Sequence, residues 1–413
     1  MNSVPSEWKT ERLKNRVGFA YGDSLAVDDR IDGNVPVFGS NGVIGTHDRA
    51  ITTGNTIIIG RKGSFGKVTW SDSSCFPIDT TYFVDRTQTW EHLRWLYYAL
   101  QSLQLDTVNF DSAVPGLSRE VAYSLRVSFP PPPEQERIAA YLDASCAAID
   151  AAVAAKRRQL ETLEALRKST ITHAVTCGLN PGVGMTTSGQ DWLGDIPSQW
   201  TAPCLKRLLK EPLTYGLNEA AELEDRDLPR YLRITDFDDN GRLRNDTFRS
   251  LPREIACEAM LSSDDVLFAR SGATVGKTFM FRNYKGEACF AGYLIRARTI
   301  PWKLSPLFLY YFTMTSTYEA WKNLIFTQAT IQNISASKYN YLTIPLPQLP
   351  EQRKICDFVE DKNTAFQKLA TYIERQIDTL IAYRKSLIHE CITGQRRVTE
   401  ADVERTRTIV HND

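Results

Sequence analysis

A long internal repeat limits what this chain can fold into more than any other feature. Pro133-Glu134-Gln135-Glu136-Arg137-Ile138 returns as Pro350-Glu351-Gln352-Arg353-Lys354-Ile355, 217 positions later. At that offset Arg158-Gln159-Leu160 meets Arg375-Gln376-Ile377, and Arg167-Lys168-Ser169 meets Arg384-Lys385-Ser386. No gap is needed from Leu117/Ile334 through Thr176/Thr393. Looser matches lie upstream: Val4-Pro5-Ser6-Glu7-Trp8 against Ile196-Pro197-Ser198-Gln199-Trp200, and Arg61-Lys62-Gly63…Gly66-Lys67 against Arg270-Ser271-Gly272…Gly276-Lys277. A period this long denotes a duplicated domain rather than a solenoid unit. The helical-looking part is kept closely and the rest has diverged, so two different heads sit on one symmetric frame.

The 413 residues suffice for two or three domains with real cores. The start, Met1-Asn2-Ser3-Val4-Pro5, lacks the basic-then-apolar pattern of a signal peptide. No apolar run is expected to reach the roughly 20 residues of a membrane helix. Eight cysteines are scattered without a Cys-x-x-Cys pair, which fits reduced thiols in a cytoplasmic protein and neither disulfides nor zinc. The formal net charge is zero, so any nucleic-acid contact must come from local basic groups.

Residues 1–133 carry short β-like runs such as Thr56-Ile57-Ile58-Ile59 and Thr81-Tyr82-Phe83-Val84 between turn residues. His92–Leu105 has helical spacing through Leu93, Leu96, Tyr97, Leu100 and Leu103. Residues 195–350 repeat the mixture, with a strand over Asp265–Ala269 and one helix over Ser305–Leu324 expected. Each domain ends in a proline run, tolerated in a first helical turn, followed by acidic residues that suit a helix N-terminus. Long helices are expected over 134–178 and 351–394, each reaching roughly 65 Å if continuous. Heptad seams run through Ile149, Lys156, Leu163, Thr170 with Val153, Leu160, Arg167, Ala174, and through Phe366, Ile373, Leu380, Leu387 with Ala370, Ile377, Arg384, Cys391. Such seams favour an antiparallel pair of packed helices over two helices lying separately on their own domains. The fold class expected is α+β: two similar mixed domains and two long antiparallel pairing helices in a pseudo-two-fold repeat. By composition 179–194 is a linker and 395–413 a polar tail.

Gly272-Ala273-Thr274-Val275-Gly276-Lys277-Thr278 resembles a phosphate-binding loop only superficially. It has three residues between the glycines where four are needed, and a strand rather than a helix should follow. A strand–Arg–Gly-loop–Lys–strand hairpin fits better. Its recurrence favours a DNA-facing tip over a plain solvated turn and nominates Arg61, Lys62, Ser64, Lys67, Arg270, Ser271, Thr274 and Lys277. Asn41, in the loop Phe38–Gly45, is either an adenine-reading amide or half of an ordinary Asn-Gly turn. Gln328 and Asn333 belong to an amide-rich strip, Thr327–Ser335, that aligns with Asp111–Ser118. Catalytic signatures are missing: there is no Gly-x-Ser-x-Gly, no His-Glu-x-x-His, no Asn/Asp-Pro-Pro-Tyr/Phe, and the five histidines do not cluster. Glu360-Asp361-Lys362 has a nuclease-like Glu-x-Lys shape but lies in a pairing helix and reads as a solvated face.

The Pro-Ser-x-Trp openings at Pro5–Trp8 and Pro197–Trp200, the Val266–Lys277 stretch and the Glu-Gln helix starts at 134–135 and 351–352, in their duplicated order, resemble the specificity subunit of Type I restriction-modification systems. The resemblance implies a non-catalytic chain in which each target recognition domain reads one half of an asymmetric bipartite site in double-stranded DNA. It implies that the helices set the spacer and dock two methyltransferase (M) subunits, with motor-nuclease (R) subunits added. S-adenosylmethionine, ATP and Mg would then be used by those partners, no cofactor or metal by this chain, and no membrane would be involved. A specificity subunit of a Type IIB-like enzyme and a protein-binding coiled-coil scaffold are the alternatives. Two departures stand out: the first-half loop is one residue shorter than its partner, and the tail has no counterpart after the first helix.

Overall fold

The computed structural model describes residues 5–107, 116–220, 222–238, 241–272, 274–327 and 333–410. Two uninterrupted helices, Pro132–Cys177 and Leu349–Ile392, begin at the two proline runs. Gly178 and Gly394 follow their ends with φ of +79° and +76°, the left-handed conformation that stops a helix without strain only in glycine. By compactness the chain divides into residues 1–158 with 374–413 and residues 159–373. The division passes through the middle of both long helices, so each unit is a mixed domain with a helix pair of its own.

In the first unit Asp150 pairs with Arg384 at 3.0 Å and the Arg396 guanidinium lies 5.0 Å from the Tyr141 ring centre, which fixes an antiparallel course. In the second, Arg167 donates to Asn363 at 3.3 Å, and Gly178 adjoins Glu351. All sixteen seam positions named from the heptads are buried or half-buried. The pairing reading is therefore the one the protein adopts.

Each unit builds its own four-stranded sheet, and the two sheets have the same strand order. In the first, four antiparallel strands run in the order Ala20–Tyr21, Thr81–Val84, Thr56–Gly60, Val68–Ser71. In the second the order is Thr214–Tyr215, Leu294–Ala297, Asp265–Ala269, Thr278–Phe281, the same topology. The central strands Thr56–Gly60 and Asp265–Ala269 are buried along their whole length, matching their unbroken apolar runs. The first unit adds a three-stranded sheet of Gly42–His47, Val35–Gly39 and Phe76–Pro77. The second adds a parallel pair, Arg230–Leu232 with Ala288–Phe290.

The repeated Glu-Gln pair joins each recognition domain to its helix. Trp8 Nε1 donates to Glu134 at 3.0 Å, and Trp200 Nε1 to Glu351 at 3.1 Å. Gln135 accepts from the His92 amide at 2.8 Å and donates to Pro130 O at 2.9 Å. Gln352 accepts from the Ser305 amide at 2.8 Å and donates to Lys303 O at 2.8 Å and Pro347 O at 2.9 Å. His92 and Ser305 are the N-cap residues of the helices Leu93–Ser102 and Pro306–Phe312. One side chain thus ties the last proline loop, the domain's own helix and the long helix together.

Four expectations change. The single helix over Ser305–Leu324 is two, Pro306–Phe312 and Ser316–Thr327. Thr315 breaks it, its hydroxyl bonding Phe312 O at 2.7 Å and accepting from the Tyr318 amide at 3.1 Å, as a helix cap does. The linker 179–194 contains a strand, Met185–Thr187, that pairs with Asp195–Pro197, and the polar tail forms a helix, Glu400–Val410. Arg397, ahead of that helix, pairs with Glu7 at 2.8 Å and Glu134 at 3.1 Å. Finally, against the expectation of no such stretch, part of the first long helix reaches a mean hydropathy of 1.5 over 18 residues, long and apolar enough to cross a membrane by composition. The stretch is rich in alanine, and the same helix half carries Asp143 and Asp150 in ion pairs with Arg94 and Arg384.

Replacing the buried Gln352 by Ala leaves the Ser305 amide and two carbonyls unpaired and should cost the second unit about 1–3 kcal/mol. Hydrogen exchange should show faster opening of 306–312 with protection of 93–102 unchanged.

Candidate nucleic-acid interface

The hairpin tips nominated from sequence follow the buried central strand in each unit and are built alike. In the first unit the Arg61 amide donates to Thr80 O at 2.9 Å, and Arg61 O accepts from the Leu117 amide at 2.9 Å. The Gly66 amide closes the loop on Gly60 O at 2.8 Å. In the second the Arg270 amide donates to Tyr293 O at 3.0 Å, Arg270 O accepts from Ile334 at 2.9 Å, and the Gly276 amide closes on Ala269 O at 2.7 Å. Thr278–Phe281 is a strand, so the glycine loop opens no helix and offers no phosphate-binding terminus.

The side chains divide into held and presented. Lys62 and Ser64 are exposed, and Lys62 is bridged to Gly116. Lys67 Nζ donates to Asn41 Oδ1 at 2.6 Å and Asn41 O at 2.9 Å. Asn41 sits in the two-residue turn between Val35–Gly39 and Gly42–His47, with Gly42 at φ +124°, so the turn role is real and its amide oxygen is engaged by Lys67. Two loops far apart in sequence thereby form one basic, amide-bearing edge. In the second unit Ser271 is bridged to Asn333, whose Oδ1 is buried with no hydrogen-bond partner among the described residues. Thr274 O accepts from the Lys277 amide at 2.9 Å, and Lys277 Nζ lies 5.8 Å from the Phe279 ring centre. Gln328 lies outside the described residues.

Both arginines stack on a tyrosine that the sequence reading missed. The Arg61 guanidinium lies 5.2 Å from the Tyr21 ring centre, and that of Arg270 lies 4.6 Å from Tyr215. Tyr21 also carries Arg119 at 4.8 Å. The Tyr215 hydroxyl accepts from the Ala336 amide at 2.9 Å, and Ala336 is the repeat partner of Arg119. Beneath Tyr21, burial and the neighbouring tyrosine push the Tyr82 hydroxyl up to about 12, and it donates to Leu117 O at 3.2 Å. A signal existed: Tyr21-Gly22 and Tyr215-Gly216 are a repeated pair. A Cβ on Gly22 would lie 2.1 Å from Ile78 O, and on Gly216 2.1 Å from Phe290 O, so both glycines let the tyrosine strand pass close to its neighbour.

Away from these loops the first unit has a cleft of about 520 Å³ lined by Trp70, Arg86, His92, Arg94 and Asp143 among others. Arg94 is enclosed there, 4.7 Å from the Trp70 ring centre and paired with Asp143 at 2.6 Å. Among the described residues no group of three or more His, Cys, Asp and Glu is placed to hold a metal. All eight cysteines are free, and burial pushes the thiols of Cys289, Cys356 and Cys391 up to about 12.

Residues 5–162 and 253–378 match the family described as Type I restriction modification DNA specificity domain. The chain belongs to this family. It is 22% identical over 344 residues to the Type I restriction enzyme EcoBI specificity subunit of Escherichia coli, covering 79% of this chain and 69% of that protein. It is 19% identical over 427 residues to the MjaVIII specificity subunit of Methanocaldococcus jannaschii, covering 96% of this chain and 94% of that one. A solved structure titled for complex assembly and conformational transition of the type I R-M system superposes with a TM-score of 0.70, at 14% identity, over 95% of this chain and 99% of the other. The duplicated α+β fold is thus shared by proteins of very different sequence. Specificity subunits of this family are non-catalytic members of their systems.

The two loop glycines should respond unequally to Ala. Both have positive φ, +76° at Gly66 and +79° at Gly276, costing about 1–2 kcal/mol for any L-residue. The new Cβ at 66 meets backbone, 2.1 Å from Asp106 N, whereas at 276 it meets the Lys322 side chain at 2.2 Å. Urea midpoints should therefore fall further for Gly66→Ala than for Gly276→Ala.

Proposed function

We propose that this chain is the DNA sequence-reading subunit of a Type I restriction-modification complex. Each unit reads one half of an asymmetric bipartite site in double-stranded DNA, and the long helices hold the half-sites at a set spacing while docking methyltransferase subunits. Two such subunits would methylate adenine at N6 using S-adenosylmethionine, and added motor-nuclease subunits would supply ATP- and Mg-dependent cleavage in the cytoplasm. This chain contributes recognition and geometry only.

One observation carries the reading. The same arginine-bearing, glycine-closed loop is built at the same place in two units whose neighbouring side chains differ, Lys62 against Ser271 and Ser64 against Thr274. A kept framework with changed side chains suits two readers of different bases, since Arg suits guanine, Asn suits adenine and Ser or Thr either. Linking two short readouts raises specificity through effective concentration without new contacts. Zero net charge fits as well, because the chain would be presented to DNA by its partners rather than coat it alone. The relatives named above are Type I subunits, which favours this reading over a Type IIB-like enzyme or a scaffold.

Arg270→Ala, assembled with its methyltransferase subunit, should lose about 1–3 kcal/mol on the target and relax discrimination at one base of one half-site. Lys277→Ala should weaken binding on all sequences alike and lower the salt slope by about one. Binding across a salt series on target and single-base variants measures both; unchanged affinity, discrimination and slope in the two variants would leave the loop an ordinary surface turn.

A further inference from the structure

We infer that Tyr21 and Tyr215 are positioning residues for base readout: each tyrosine orients the arginine stacked upon it and acts on DNA only through that arginine. The inference rests on the proposed function and adds residues that neither the repeat nor the loop motif had singled out.

The geometry is the same in both units. Each tyrosine stands on an edge strand of its own unit's four-stranded sheet, Ala20–Tyr21 or Thr214–Tyr215, and keeps 47% or 42% of its surface exposed. Each therefore forms a platform at the surface and is no core residue. Its arginine is half-buried, with the backbone pinned on both sides by hydrogen bonds of 2.9–3.0 Å. The backbone is thus fixed without the ring, so the stack's remaining task is to aim the guanidinium. Free arginine loses about 2 kcal/mol of rotamer entropy when ordered, and a planar group held flat on a ring has lost part of it beforehand. Such an arginine meets the fork of guanine acceptors with less to lose.

The platform also ties in the segment behind the amide-rich strip. Tyr215 does so through the Ala336 amide and Tyr21 through the Arg119 guanidinium, at repeat-equivalent positions. Platform, arginine and a residue just after each strip are therefore in direct contact. The side chains between them, Lys62, Ser64, Ser271 and Thr274, have diverged. What is kept aims, and what varies selects.

The test is a double-mutant cycle on the chain assembled with its methyltransferase subunit, using target duplex and single-base variants of each half-site. Arg270→Ala, Tyr215→Leu, the double variant and Tyr215→Phe are compared, with thermal unfolding as the control on folding. Tyr215→Leu should lower target affinity about 3–10-fold, the scale of a cation–π contact, and relax the same base as Arg270→Ala. In the Arg270→Ala background it should change affinity less than about two-fold, because the group it aims is gone. Tyr215→Phe keeps the ring and should retain discrimination; Tyr21→Leu should act on the other half-site. Additive losses in the double variant would overturn the inference by showing that the tyrosine meets DNA or props the domain independently. So would a Tyr215→Phe that behaves like Tyr215→Leu, which would assign the effect to the Ala336 bond. A silent Arg270→Ala would instead sink the reading of the loop itself, and with it this inference.

Discussion

The structure depends on a buried amide and a carboxylate at the start of each long helix. Gln135 and Gln352 tie a recognition domain to its helix, because each satisfies a domain-helix amide and a proline carbonyl at once. Glu134 and Glu351 add the tryptophan of the opening segment, and each carboxylate also sits in a first helical turn where the backbone favours negative charge. Buried polar groups of this kind are costly when half-satisfied and specifying when complete. Their full satisfaction explains why the Glu-Gln pair survives in both copies while most of the recognition domain has diverged.

A second layer of repetition follows from the first. Both units run the same four strands in the same order, which brings the arginine loop and the tyrosine strand together at the same end of each sheet. The glycines of the loop are demanded by backbone geometry, so that part cannot drift. The polar side chains on the tip face no such constraint. Under the proposed reading, Lys62, Ser64, Ser271 and Thr274 can vary without disturbing the frame, as expected when a site is grafted onto a rigid scaffold.

Much of the frame was legible because repetition and periodicity act over long stretches. The helix starts, the seams and the strand–loop–strand hairpins all follow from patterns of ten residues or more. Local devices were less visible. The break at Thr315 depends on one hydroxyl choosing a backbone partner, which apolar spacing in Ser305–Leu324 does not report. The hairpin of Met185–Thr187 with Asp195–Pro197 is three residues long on each strand and carries no apolar alternation. The tail helix is anchored by Arg397, whose acidic partners lie nearly 400 and 263 positions upstream. In the candidate interface the arginines were found through the repeated loop, but their tyrosines were overlooked because the two Tyr-Gly pairs stand 194 positions apart, off the main repeat offset. Asn41 and Lys67 were each nominated; only the fold shows that they bond one another.

With each reader tied to its helices, the gap between half-sites should follow helix length. The most direct measurement is the methylated motif produced when one heptad is inserted between Arg158 and Gln159 and another between Ile373 and Glu374, where the chain passes from one compact unit to the other. Seven residues add about 10 Å of helix, or about three base pairs of duplex. The account predicts a longer non-specific spacer flanked by the same bases. An unchanged spacer, or altered bases in either half, would contradict it.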